Sequence, residues 1–96
     1  MTYNKQDVLD VIENLVYTTK RNIYKDRTFS IYNLKSTLVI ELPGGIRHPI
    51  KSIIFDDIDL SDEDLKNYAP WYSDCVKEIR HIYNTHKSIS PSKYFV

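Results

Sequence analysis

Side chains able to do chemistry are sparse in this 96-residue chain. Its imidazoles are His48, His81 and His86. His81 and His86 stand five apart in a helical stretch, about 140° apart around the axis. Two imidazoles that share a metal from one helix stand four apart. His48 lies beside a turn. Cys75 is the single cysteine, so no intrachain disulfide can form. A lone cysteine on a helix reads as a small core filler. No serine, threonine or cysteine stands in a recognisable nucleophile motif, and no phosphate-loop pattern occurs. The two glycines, Gly44 and Gly45, follow Pro43 and belong to a turn. The expectation is a protein without catalytic residues, metal or cofactor.

The densest charge feature is the run Asp56, Asp57, Asp59, Asp62, Glu63 and Asp64. A calcium loop could begin at Asp57-x-Asp59-x-Ser61. Its sixth position would be Asp62 where glycine is needed, and its twelfth Tyr68 where a bidentate glutamate is needed. Calcium is therefore set aside. The positive end of a helix dipole attracts Asp62, Glu63 and Asp64. It gives no reason for Asp56, Asp57 and Asp59, whose mutual repulsion costs stability. A surface that meets a basic partner, as a nucleic-acid backbone would, supplies that reason. Tyr68, Trp71 and Tyr72 follow directly, and tyrosine and tryptophan are favoured anchors of interfaces. The nine residues together form the expected partner-binding face.

An opposite pole competes with it. Lys20, Arg21, Lys25 and Arg27 surround Tyr24, with Asp26 opposing them; Arg47 and Lys51 extend the set. Basic residues beside an aromatic can hold phosphates and stack a base. The formal net charge is zero, so nothing global points to nucleic acid. The charge is unevenly placed, however. Residues 1–55 carry eight basic and five acidic side chains, and residues 56–96 carry five and eight. The eight tyrosines admit two readings: a compositional bias, or rigid contact area for an interface.

The elements that must position these residues can be read from periodicity. Over 4–20, Val8, Val11, Ile12, Leu15 and Thr19 follow helical spacing, with Asn4 as N-cap and an extension toward Tyr24 open. Two strands are expected at about 28–32 and 36–42, with a turn or bulge near Asn33. After the turn at 43–45, a third strand should run from about Ile46 to Phe55, with Pro49 at an edge or bulge. Ser61 opens a second helix through a capping box closed by Asp64, with Leu60 stapled to Leu65. Ala69 precedes Pro70 and ends that helix; Pro70 opens a third. Tyr72, Cys75, Val76, Ile79, Ile82 and Tyr83 form its apolar stripe, while Lys77, Glu78, Arg80, His81 and Asn84 face water. The third helix is expected to end near His86 or Lys87.

The expected fold is α+β, in the order α-β-β-β-α-α, a three-stranded antiparallel meander with helices mainly on one face. Residues 1–87 are expected to form one domain, and 88–96 a tail that frays unless Tyr94, Phe95 and Val96 dock. The opening residues lack an apolar signal core, and no stretch approaches the ~20 apolar residues of a membrane span. A cytoplasmic protein is expected. No motif is specific enough to carry a family. The profile is that of a small phage- or mobile-element-encoded protein that binds and modulates a host protein with a basic surface. A nucleic-acid-binding regulator and a homo-oligomeric structural subunit are the alternatives.

Overall fold

The computed structural model describes residues 2–19, 24–25 and 29–87. Helix α1 spans Lys5–Thr19. Asn4 caps it: the Asp7 backbone N–H donates to Asn4 Oδ1 at 3.0 Å. Its buried face is Val8, Leu9, Val11, Ile12 and Val16, and Leu15 is only partly buried. The face is thus rotated slightly from the expected stripe, and it includes a buried polar residue, Asn14.

Four antiparallel strands follow in the order β1-β2-β3-β4. They are β1 (Tyr24–Lys25), β2 (Ser30–Leu34), β3 (Thr37–Glu41) and β4 (Arg47–Pro49). The expected three-stranded meander is β2-β3-β4. The two-residue β1 adds to its edge, pairing Tyr24 with Ile31 and Lys25 with Ser30. Tyr24 therefore belongs to a strand and not to a continuation of α1. Lys35 and Ser36, not the expected Asn33, link β2 to β3, with both φ values positive at 49° and 68°; Asn33 pairs with Leu38 inside the ladder. Two left-handed residues match the right-handed twist of a two-residue hairpin. Between β3 and β4, Gly44 and Gly45 adopt φ of 95° and 86°, which side-chain-bearing residues rarely do.

The expected third strand is corrected over most of its length. Only Arg47–Pro49 is strand; Ile50–Asp57 is helix α2. Pro49 sits in an extended conformation just before it. Ile50, Ile53, Ile54 and, just beyond, Ile58 are buried at helical spacing. A dense isoleucine run fits two periods, and packing against α1, α4 and the sheet selected the helical one. Helices α3 (Asp62–Leu65) and α4 (Pro70–His86) complete the order α-β-β-β-β-α-α-α.

The fold is α+β, with the helices on one sheet face. Paired Ile31 and Ile40 are fully buried with Phe29 and Leu38, in one core with Ile12, Ile54, Val76 and Ile79. On the other face Tyr32, Glu41 and Arg47 make a polar cluster: the Tyr32 hydroxyl donates to Glu41 Oε1 at 2.6 Å, and Arg47 Nε to the same oxygen at 2.8 Å. Residues 88–96, expected as a tail, lie outside the described residues. Among the described residues no helix is long and apolar enough to cross a membrane.

Candidate functional site

The acidic and aromatic residues come from the end of α2, the loop to α3, α3 itself, the turn that follows it and the start of α4. Ser61 shapes the centre of this segment. Its Oγ accepts from the Asp64 backbone N–H at 3.2 Å and donates to Asp64 Oδ2 at 2.9 Å. The return leg of the expected box therefore ends on the serine hydroxyl. Pro70 occupies the first turn of α4, as its missing N–H and fixed φ favour.

Most of the acids have partners within the fold. Asp59 Oδ1 accepts the Tyr3 backbone N–H at 2.6 Å, and its Oδ2 lies 3.7 Å from Lys5 Nζ. Asp62 Oδ1 accepts from Arg80 Nη1 at 3.1 Å, and Glu63 pairs with Lys66 at 3.1 Å. Asp57 accepts the Tyr72 hydroxyl on Oδ2 and the Tyr68 hydroxyl, at 3.4 Å, on Oδ1. Asp57 and Asp59 thus have a structural use that a helix dipole does not provide, and the repulsion argument keeps its force only for Asp56. Asp56 is exposed, and no ion pair or hydrogen bond reaches its carboxylate among the described residues.

Arg80 explains how the loop is held. It is not the water-facing residue that its helical position predicts; its side chain is only 15% exposed. Nε donates to the Ile58 carbonyl at 3.1 Å, and Nη2 to the Leu60 carbonyl. Its guanidinium also lies 5.8 Å from the Tyr3 ring centre. One side chain of α4 therefore holds two loop carbonyls and Asp62.

The aromatics form a continuous row. His48 stacks on Trp71 at 5.0 Å, Trp71 meets Tyr72 edge-on at 5.4 Å, and Tyr72 stacks on Tyr68 at 4.8 Å. Tyr72 reaches the core, Trp71 turns toward β4, and Tyr68 is 42% exposed. Burial, and then the bond to Asp57, push the Tyr72 hydroxyl pKa well above its ordinary value. For Tyr68 the Asp57 charge leads the upward shift, with Asp64 contributing. Sequence reading missed His48 and Arg80 as members of this region. Neither carries a sequence signal, because their partners lie about 20 residues away.

The basic pole is described only in part. Lys20, Arg21 and Arg27 lie outside the described residues, as do the side chains of Tyr24 and Lys25. Arg47 is tied to Glu41 and Tyr32 on the outer sheet face. Lys51 lies on α2 and not on a strand, with its ammonium 5.7 Å from the Phe55 ring centre. Cys75 is buried, and burial raises its thiol pKa, which disfavours the reactive thiolate. No group of three or more His, Cys, Asp or Glu residues is placed to hold a metal among the described residues. No protein-family model, curated protein or solved structure matches the chain.

Proposed function

We propose that this protein is a small, cytoplasmic, non-enzymatic modulator that binds a basic surface of another protein. The phage or mobile-element origin read from the sequence profile belongs to the same proposal. The binding face joins the row Trp71, Tyr72 and Tyr68 to Asp56, Asp57 and Asp64. The observation that carries the reading is the pairing of a partly exposed aromatic row with carboxylates that have no ion-pair partner among the described residues. Rigid rings provide contact area at low entropy cost, and exposed carboxylates steer a cationic partner. In the nucleic-acid alternative, Arg47 would have to serve a phosphate while paired with Glu41 at 2.8 Å.

The test is comparative affinity capture from lysate of the organism that carries the gene. Wild type is run beside Trp71→Ala and the pair Asp56→Asn with Asp64→Asn, each shown to be folded by circular dichroism. The reading expects a protein retained by wild type, lost with Trp71→Ala, and weakened by the Asn pair and by salt. Equal retention by all three chains refutes this face. Retention of nucleic acid, or self-association in sedimentation, replaces the reading with one of its alternatives.

A further inference from the structure

We infer that the open face of Tyr68 seats an arginine side chain of the partner, with Asp57 and Asp64 as its counter-charges; this rests on the binding face proposed above. One face of the Tyr68 ring is covered by Tyr72 at 4.8 Å with the planes 18° apart. The residue is nevertheless 42% exposed. Other rings already carry the chain's own cations: Lys51 over Phe55, Arg80 over Tyr3 and Lys87 over Tyr83, at 5.7, 5.8 and 5.9 Å. Among the described residues no cation covers Tyr68. The nearest cation in sequence, Lys66, is paired with Glu63.

The charge around the ring fits a cation. Asp57 holds two neutral tyrosine hydroxyls and no cationic side chain among the described residues. Its bond from Tyr68 is long, at 3.4 Å, and ends on Oδ1, while Tyr72 holds Oδ2. Oδ1 can therefore take an incoming N–H without disturbing Tyr72. Asp64 stands one turn before Tyr68, where its carbonyl accepts the Asn67 N–H at 3.2 Å and the Leu65 carbonyl accepts the Tyr68 N–H at 3.1 Å, and its charge adds to the upward pKa shift of the Tyr68 hydroxyl. Arginine fits better than lysine. A planar guanidinium can lie flat on the ring while its edge donates to a carboxylate, and it sheds water more readily than an ammonium.

The experiment titrates isotopically labelled full-length protein with hexa-arginine and with hexa-lysine peptide at low salt, following amide shifts by NMR. Hexa-arginine is expected to bind about threefold tighter, with the largest shifts at Tyr68, Asp57 and Asp64. Tyr68→Ala should abolish that preference, and Tyr68→Phe, which keeps the ring, should retain it. Equal affinity for the two peptides, a preference that survives Tyr68→Ala, or shifts centred elsewhere overturns the assignment. If captured partners depend on Trp71 while the arginine preference is missing, only the arginine seat fails. If neither is found, the binding face fails with it.

Discussion

Replacing Arg80 with alanine probes the device that holds the acidic loop. The side chain is mostly buried and serves three acceptors, of unequal value. The Ile58 and Leu60 carbonyls receive charge-assisted hydrogen bonds in partly buried surroundings. At about 1.5 kcal/mol each, the low end for bonds to charged groups, they come to about 3 kcal/mol. The Asp62 arm is worth about 0.5 kcal/mol or less, because that carboxylate is solvated. Its side chain is 73% exposed. Loss of the guanidinium's contact with the Tyr3 ring adds about 0.5–1 kcal/mol. Arg80→Ala should therefore cost about 3.5–4.5 kcal/mol, a large share of the roughly 5–14 kcal/mol expected for a chain of this size. Urea melts followed by circular dichroism measure it as a drop in midpoint at constant slope. Arg80→Lys should recover only part of the loss, since one ammonium cannot reach both carbonyls. Asp62→Asn should cost about 0.5 kcal/mol or less. A loss below about 1 kcal/mol for Arg80→Ala, or equal losses for Arg80→Ala and Asp62→Asn, would refute the carbonyl clamp.

Three further outcomes are expected. Ile79→Ala removes a fully buried side chain from the centre of α4 and should cost about 2–5 kcal/mol in the same melts; a cost under about 1 kcal/mol contradicts its burial. Ser61→Ala removes the cap bond to the Asp64 N–H and should cost roughly 1 kcal/mol, whereas Ser61→Thr, which keeps a hydroxyl to accept that N–H and to donate to the Asp64 carboxylate, should keep most of the stability. Tyr68, Tyr72 and Tyr83 all have hydroxyl pKa values raised above 10.0 in the fold. Their contribution to stability is full below pH 10 and falls as pH rises beyond it, because the unfolded chain ionises first. Absorbance at the tyrosinate band should show late-titrating tyrosines in the native protein, which move to the ordinary range in denaturant. Uniform titration in both states contradicts the Asp57-bonded environments described for Tyr72 and Tyr68.

Local chemistry by itself determined α1 with its Asn4 cap, the hairpin strands, the Ser61 cap and the Pro70 start of α4. Each depends on contacts within a few residues, or on a periodicity that packing merely completes. The α+β class follows from the same signals. The segment Ile50–Phe55 was not decidable in that way. Its isoleucines at 50, 53 and 54 suit either a covered strand or a helix, and only the neighbours that bury them chose α2. The same limit applies to the site. The acids and aromatics were legible as a cluster, but their electrostatic meaning was not. Asp59 is taken up by Tyr3 and Lys5, more than fifty residues away in sequence, and Asp62 by Arg80. The exposed charge left over, and the row that runs from His48 to Tyr68, are set by how α2 and α4 pack beside β4. Long-range pairing of this kind is decided by the burial of the whole core, and no local pattern encodes it.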